Sequence, residues 1–333
     1  MSKLSKFRAA LEKKGAQTGF APIRGWISSG NLAIKGFLVS RMTFLSGPRS
    51  SGKTFIVGNV MREAQKKGYH VILMETENSV DREFLERLGV DTSDDKFDLI
   101  RVFSIEEATQ YSQMILESFS KDDKVFLFVD SLSNMESSQE ADKFDKEGTI
   151  ASTQGLTQKK MKAFCSLLNN RIGDRDMGVL MTTHVYENQE QYGDKYKVSG
   201  GSSIQFLPSV GIWTTGLPLR EGSSLVGIRL KTQTYKTRYQ QVGMNVEVDL
   251  PYTTGMDQYD GVLPILVKLG VIEQAGAWYS VLDSTTGELK KFQRKSLDTV
   301  IDIVERRYAE VVTQHEEQDD DEASLDGEKS RVE

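Results

Sequence analysis

The sequence has one cysteine, three histidines and no long apolar run, and each scarcity excludes a class of protein. A single cysteine, Cys165, leaves no partner for a disulfide within the chain, which points to a reducing compartment. Three histidines are too few for a histidine-rich metal centre. No apolar run is long enough to cross a bilayer, and the first fifteen residues lack the apolar stretch of a secretory signal. We therefore expect a cytoplasmic protein with no membrane partner.

The acidic residues are concentrated at one end of the chain. The net charge of −6 argues at first against a nucleic-acid partner. Residues 315–333 hold nine acids and two bases, which leaves 40 bases against 39 acids in the rest of the chain. A near-neutral body is therefore predicted, followed by a disordered acidic tail. The tail either keeps the protein soluble or competes with nucleic-acid phosphates for the protein's own basic surface, and composition does not distinguish these alternatives.

Apolar runs alternate with helical segments from residue 41 to about residue 184. Strands separated by helices predict an α/β core with a parallel sheet and crossover connections. After Val210, three β-like runs joined by short turns predict antiparallel hairpins that extend the same sheet. The predicted regions are an N-terminal helix and linker that contacts other protomers (1–28), the core (29–255), a small mixed unit ending in an amphipathic helix (256–313) and the tail (314–333).

Residues 47–54 read GPRSSGKT and fit the pattern G-x-x-x-x-G-K-[ST], with a strand before them and a helix after them. Two glycines let the backbone wrap closely around phosphates and aim its N–H groups at them, and the helix adds its positive end. Lys53 is expected to reach the β- and γ-phosphates, and the Thr54 hydroxyl to ligate Mg²⁺. The sequence thus predicts a site for ATP and Mg²⁺. The residues expected to bind the nucleotide are Gly47, Pro48, Arg49, Ser50, Ser51, Gly52, Lys53 and Thr54.

Carboxylates follow two further strands of the predicted sheet. Asp130 ends the apolar run VFLFVD, which suits a residue that holds magnesium through its hydration shell. Glu75 and Glu77 end the strand that comes after the loop 47–54, or P-loop, and its helix. The carboxyl ends of neighbouring parallel strands face the ligand crevice, so either glutamate can serve as the base that activates the attacking water. Spacing alone does not choose between them.

The sequence resembles the RecA family of recombinases over roughly residues 25–310. ETENSVDREFLERLGVD is similar to the family segment in which a glutamate activates water and an aromatic ring stacks on adenine. The resemblance implies a RecA-like P-loop NTPase core, a catalytic Glu77, and an adenine pocket lined by Asp81 and Phe84. Phe84 stands where bacterial members usually have tyrosine. MDQYDGVL places Tyr259 where the family packs an aromatic ring on the base.

Three more segments carry the resemblance. VDSL at 129–132 matches the family's second nucleotide motif. IEQAGAWYS at 272–280 is nearly identical to the corresponding segment of bacterial members. TTHVYENQEQ is similar to the UvsX-like branch of phages, which has histidine where bacterial members have glutamine. The resemblance implies that His184 senses the γ-phosphate and moves the loop after it. A phage-encoded protein would act in the cytoplasm of its bacterial host.

Two loops are predicted to contact DNA. On its residues alone, the polar stretch 185–201 is a mobile surface loop, but it interleaves tyrosines with lysines, which can stack on bases and meet phosphates. The resemblance implies that this loop binds single-stranded DNA through Tyr192, Lys195, Tyr196, Lys197, Gly200 and Gly201. The earlier loop 136–148 is mostly acidic, with Lys143 and Lys146 as its obvious phosphate partners.

In QTYKTRY, residues 233–239, alternation places Lys236 and Arg238 on one side of a strand. A solvated strand face is one explanation. The resemblance implies instead that both reach the ATP of the neighbouring protomer and assist catalysis.

Taken together, the resemblance implies a DNA-dependent ATPase that forms a helical filament on single-stranded DNA and exchanges strands with a homologous duplex. It also implies a single-strand-binding protein and a loader as partners. The alternatives are a hexameric helicase built on the same core and an ATP-binding mediator that exchanges no strands.

Overall fold

The fold is that of a computed structural model of the 333-residue chain, described for residues 23–34, 36–138, 154–188, 196–199, 201–238, 245–253 and 255–311. The chain divides into two compact units. The first takes in residues up to 30, 35–218 and 230–245, and the second takes in 31–34, 219–229 and 246 onward. The predicted N-terminal helix and acidic tail lie outside the described residues, and the predicted four-part division stays a prediction.

A parallel sheet forms the centre of the first unit. Its strands lie in the order β3-β7-β6-β4-β5, and all four neighbouring pairs are parallel. Three of them, β4, β6 and β7, are buried along almost their whole length, which explains why their sequences are nearly continuous apolar runs. The strand bounds are β3 Met42–Ser46, β4 His70–Glu75, β5 Phe97–Arg101, β6 Val125–Asp130 and β7 Met177–Thr183.

Two small antiparallel pairs accompany this sheet. Trp26–Ile27 (β1) pairs with Phe37–Leu38 (β2). Val185–Glu187 (β8) pairs with Tyr196–Val198 (β9), with Glu187 opposite Tyr196. The second pair is the stem of the stretch 185–201, so the described ends of that stretch form a β-hairpin.

Two helices of the first unit begin at side chains that cap them. Ser104 and Glu107 form a reciprocal capping box at the start of α3, and Asp81 caps α2. The helix bounds are α1 Lys53–Lys66, α2 Arg82–Arg87, α3 Ile105–Ser118, α4 Gln154–Ile172 and α5 Ser202–Gln205. The helices α3 and α4 contribute to the core that covers one face of the sheet, where Cys165 is fully buried.

The predicted hairpins after Val210 are present, with one difference in how they join the sheet. Val210–Glu221 (β10) pairs with β3 in parallel, because the chain crosses back before it enters β10. Ser224–Thr237 (β11) follows after two residues, a connection that only antiparallel neighbours can make. Asn245–Pro251 (β12) lies beside β11. The sheet extension is therefore parallel at its first contact and antiparallel after it.

The second unit is small and mixed. A three-stranded antiparallel sheet and the helices pack around a core that contains Val248, Phe292 and Val304. The predicted terminal helix is interrupted: Arg294–Val300 is a 3-10 helix with a non-helical residue at Ser296, and residues 301–311 are α-helical. The other bounds are α6 Leu263–Lys268, β13 Glu273–Ala275, β14 Trp278–Leu282 and β15 Leu289–Gln293. Among the described residues, every helix is too short or too polar to span a bilayer.

The close packing of β6 against β7 gives a stability test. A Cβ atom at Gly178 would lie 2.4 Å from Cε2 of Phe126, a ring that is itself fully buried. We expect Gly178→Ala to lower the free energy of unfolding by about 1–3 kcal/mol, because a packed core does not yield to an added methyl group. Gly155→Ala is the control, since nothing lies within 4 Å of its Cβ position and alanine favours the helix. Urea denaturation measures both; equal midpoints would contradict the prediction.

Candidate nucleotide-binding site

The loop between β3 and α1 is held by close backbone contacts. The N–H of Gly47 donates to the carbonyl oxygen of Thr183 at 3.0 Å, and a Cβ at Gly47 would lie 2.2 Å from the carbonyl oxygen of Thr214. Gly52 has a φ of +76°, and a Cβ there would lie 2.4 Å from Cδ2 of Leu230. Both positions therefore require glycine, the first for space and the second for space and conformation.

The polar groups of the loop suit a bound anion. Lys53 is only 6% exposed, and its Nζ donates to the carbonyl oxygens of Gly47 at 3.0 Å and Pro48 at 2.8 Å. Burial lowers the pKa of Lys53, and the charges of Asp130 and Glu77 oppose that effect. The Ser51 hydroxyl is buried with no hydrogen-bond partner among the described residues. A buried cation, an unsatisfied hydroxyl and the start of a helix are the groups that a phosphate would satisfy.

Asp130 lies beside this loop, at the end of β6, with 3% of its surface exposed. Its Oδ2 accepts a hydrogen bond from Thr54 Oγ1 at 3.0 Å, and its Oδ1 accepts one from Thr182 Oγ1 at 2.5 Å. Burial raises the pKa of Asp130, although the two hydroxyls and Lys53 favour the charged form. A carboxylate in contact with the P-loop threonine is a donor set that suits Mg²⁺, which is bound by few protein oxygens together with phosphate and water.

The structure separates the two glutamates that spacing left equivalent. Glu75 is 3% exposed, and its Oε1 accepts hydrogen bonds from the backbone N–H groups of Glu77 at 3.0 Å and Ser79 at 2.9 Å. Glu75 therefore holds the chain as it leaves β4. Glu77 lies beyond the end of the strand, where its Oε1 is 2.9 Å from Nε2 of His184.

His184 connects the site to the hairpin stem. Its backbone N–H donates to Ser133 Oγ at 2.8 Å, and its carbonyl oxygen accepts from the N–H of Ser199 at 2.9 Å. Its Nδ1 is buried and has no hydrogen-bond partner among the described residues. The side chain thus lies between the candidate base, Glu77, and the first residue of β8.

The remaining residues predicted to contact the nucleotide lie at the tip of the loop, at α2 and in the second unit. Arg49 and Ser50 are exposed at the tip of the loop. The Asp81 carboxylate accepts the Phe84 N–H at 2.6 Å as the cap of α2, and the Phe84 side chain is half-buried. Tyr259 is half-buried in the second unit. The adenine-pocket roles of Asp81, Phe84 and Tyr259 stay predictions.

The predicted DNA contacts are described only in part. Tyr196 and Lys197 are half-buried in β9, and Gly201 has a φ of +95° before α5. Lys236, near the end of β11, donates to the carbonyl oxygen of Phe206, and burial together with the charge of Arg238 lowers its pKa. Arg238 is exposed and follows the end of the strand. The predicted contacts that lie outside the described residues are Lys143, Lys146, Tyr192, Lys195 and Gly200.

Sequence reasoning missed two threonines that complete the site. Thr182 supplies the second donor to Asp130, and Thr214 Oγ1 donates to the carbonyl oxygen of Ser51 at 3.0 Å. Both are fully buried. A threonine near the end of an otherwise apolar strand was the available signal, because a buried hydroxyl requires a partner.

The comparisons with known proteins place the chain in a family. The family described as the RecA N-terminal domain matches residues 25–257, which is most of the chain. The chain belongs to the RecA family. The predicted RecA-like α/β fold is thereby confirmed, and so are the predicted activities of a RecA-type recombinase and a DNA-dependent ATPase.

Relatives named Protein RecA cover most of the chain. The protein from a Nocardioides species is 25% identical over 273 residues, which are 80% of this chain and 74% of the relative. The one from Chloroherpeton thalassium is 24% identical over 86% of this chain and 77% of the relative. The one from Desulforapulum autotrophicum is 28% identical over 76% and 73%. The likeness thus extends over the nucleotide site and beyond the matched domain.

The burial of Asp130 predicts a cost in stability. Because its pKa is raised in the native state, the free energy of unfolding falls as pH rises between the unfolded pKa, about 3.9, and the native one. We expect Asp130→Asn without nucleotide to unfold at a higher temperature than the wild type at pH 7. A gain of 1 kcal/mol corresponds to about 2–4 °C. The gain should shrink as pH falls toward about 3, where the carboxyl is largely protonated in the unfolded state as well.

Thermal unfolding at pH 7 and at about pH 3 measures this effect. Asp94→Asn is the matched control, because Asp94 is exposed and the same change there removes no buried charge. A lower unfolding temperature for Asp130→Asn at pH 7 would show that the buried carboxylate stabilises the fold.

Proposed function

We propose that this RecA-family recombinase uses ATP and Mg²⁺ at the loop 47–54 to control a helical filament on single-stranded DNA, in which homologous strands are paired and exchanged. The observation that carries the proposal is the 2.9 Å contact between Glu77 and His184. It joins the candidate base for hydrolysis to the residue from which the hairpin of stretch 185–201 begins. A change at the phosphates can therefore reach that loop through one side chain.

Different residues around the loop 47–54 would bind the phosphates and the Mg²⁺ ion. Lys53 would contact the β- and γ-phosphates, and backbone N–H groups of residues 47–52 would surround them. Thr54 and Asp130 would hold Mg²⁺, which neutralises charge on the phosphates when it is bound. The Ser51 hydroxyl, buried without a described partner, would gain one from a phosphate oxygen.

Glu77 is the proposed base that orients and deprotonates the attacking water. In the structure, one oxygen of its carboxylate contacts Nε2 of His184 at 2.9 Å. A turn of His184 toward the γ-phosphate would release Glu77 and pull on β8 at the same time. Hydrolysis and the state of the DNA loop would thus change together.

The finer family roles belong to the same proposal. The histidine at 184 supports the proposal that the chain is a member of the UvsX-like phage branch. Phe84 and Tyr259 would stack on adenine, and Asp81 would border the same pocket. Lys236 and Arg238 would contact the ATP of the neighbouring protomer, so hydrolysis would require the filament. A single-strand-binding protein and a loader would be its partners, in the cytoplasm of a bacterial host.

DNA would be held by the loops 136–148 and 185–201. Lysines and tyrosines of these loops would meet phosphates and stack on bases, so the protein reads the backbone while base pairing reads sequence. The proposed contacts are Lys143, Lys146, Tyr192, Lys195, Tyr196, Lys197, Gly200 and Gly201.

An ATPase assay followed by a joint-molecule assay tests the function as a whole. We expect single-stranded DNA to stimulate ATP hydrolysis and the protein to form D-loops with a homologous duplex. Lys53→Ala should abolish both, because it removes the phosphate-binding cation. Hydrolysis without DNA stimulation and without joint molecules would contradict a recombinase, and unwinding of a fork without homology would indicate a helicase.

A matched pair of variants separates the two glutamates. Glu77→Gln should lower the rate of ATP hydrolysis by about 10²- to 10⁴-fold, as expected for loss of a general base, while Mg-ATP still supports DNA binding. Glu75→Gln should lower the free energy of unfolding by about 1–3 kcal/mol, because two N–H groups lose a charged acceptor. Steady-state kinetics and thermal unfolding distinguish these effects; the opposite pattern would exchange the two roles.

A further inference from the structure

A column of three aromatic rings lies beside the nucleotide site. Tyr196, Trp213 and Tyr235 come from β9, β10 and β11, and we refer to them as the aromatic column. The rings of Trp213 and Tyr235 are stacked with centroids 4.0 Å apart, and Tyr196 is tilted against Trp213 at 6.3 Å. The column therefore reaches from the stem of the loop 185–201 to the strands beside the P-loop.

The backbone makes room for this column. A Cβ at Gly211 would lie 2.2 Å from Cζ of Tyr235, so that ring lies directly over the β10 backbone two residues before Trp213. Trp213 itself is 8% exposed. Aromatic pairs in such stacked and tilted arrangements contribute more than their buried area alone. The rings are thus packed parts of the fold and are not a loose surface cluster.

Thr214, the residue after Trp213, directly contacts the loop 47–52, which we call the phosphate loop. Thr214 donates from Oγ1 to the carbonyl oxygen of Ser51 at 3.0 Å, and its own carbonyl oxygen lies where a Cβ of Gly47 would be. Trp213 is the register partner of Ser46, the last residue before the loop. A displacement of Trp213 must therefore be felt at both ends of the loop 47–52, since packed elements transmit strain.

The connection is separate from the one through His184. The histidine contacts Glu77 and starts β8, whereas the aromatic column begins at Tyr196 on the returning strand β9. The first acts on the candidate base, and the second acts on the backbone around the phosphates. The loop 185–201 thus has two described attachments to the nucleotide site, one from each strand of its stem.

We propose that Trp213 is a positioning residue that couples occupancy of the loop 185–201 by single-stranded DNA to the geometry of the phosphate loop. The proposal rests on the proposed function of that loop in DNA binding. A base that stacks on Tyr196 competes with Trp213 for the same ring. The shift of Trp213 that follows changes how Thr214 holds Ser51 and Gly47, and therefore the affinity for nucleotide. By linkage, nucleotide binding changes the affinity for DNA by the same factor.

The test measures that factor in the full-length protein. The affinity for fluorescein-labelled oligo(dT) is determined with and without saturating ATPγS and Mg²⁺. We expect the ratio of the two affinities to fall by about fivefold or more in Trp213→Leu, since site-to-site couplings are typically of that size or larger. Trp278→Leu is the matched control, because it makes the same change at a tryptophan that is 52% exposed in the second unit, and the ratio should stay as in the wild type.

The outcomes separate this inference from the proposed function. A wild-type protein that binds no oligo(dT) would refute the DNA-binding function itself. A wild-type ratio that Trp213→Leu leaves unchanged would overturn the coupling role alone. Loss of ATPγS binding by the folded variant would also overturn it, because Trp213 would then be needed for the nucleotide site regardless of DNA.

A spectroscopic measurement covers the case in which Trp213→Leu does not fold. The sequence contains three tryptophans, so the double variant Trp26→Phe, Trp278→Phe leaves Trp213 as the sole tryptophan, which is excited selectively at a wavelength that tyrosine does not absorb. We expect its fluorescence to change when oligo(dT) is added alone and when ATPγS is added alone, because both ligands displace the same ring. Emission that responds to neither ligand, in a protein that binds both, would overturn the proposal.

Discussion

The buried carboxylate of Asp130 is the group on which the arrangement of the nucleotide site depends. It ends a strand that is otherwise apolar, so its oxygens are removed from water and require donors from the protein. Thr54 supplies one donor from the first turn of α1, and Thr182 supplies the other from the end of β7. Because each donor belongs to a different element, one carboxylate ties the P-loop helix and two neighbouring strands together at the edge where a ligand would bind. This arrangement costs stability through the raised pKa of Asp130, which is a common feature of functional sites.

The hydrogen bonds at this edge of the sheet distinguish two side chains that are held in place, Glu75 and Asp130, from one that can rotate, His184. Glu75 cannot leave its place without stranding two backbone N–H groups, and Asp130 cannot turn without stranding two hydroxyls. The imidazole of His184 has one nitrogen on Glu77 and the other without a described partner, so a rotation breaks a single hydrogen bond. Rotation of His184, which links the candidate base to the hairpin, therefore breaks fewer hydrogen bonds than a movement of Glu75 or Asp130.

The sequence predicts the framework of the site because its signals are local. The loop 47–54 carries its pattern within eight residues, and Asp130 is visible as a charge that ends an apolar run. The choice between Glu75 and Glu77 depends on where β4 ends, which the pattern of apolar residues does not show. The resemblance to the RecA family was needed to favour Glu77. Thr182 and Trp213 act through partners 52 and 22 residues away, on other strands, so only strand order and register reveal them. The parallel entry of β10 beside β3 is non-local for the same reason.

Two attachments between the loop 185–201 and the nucleotide site allow two properties to be controlled separately. Under the proposed function, a rotation of His184 would change what faces Glu77 and so the rate of hydrolysis. A shift of β10 changes the backbone around Gly47 and Ser51 and so affects affinity. A single connection would force the rate of hydrolysis and the affinity for nucleotide to change together. Since β8 and β9 pair along the hairpin stem, DNA bound there under the proposed function would act on both connections at once, while each keeps its own residues.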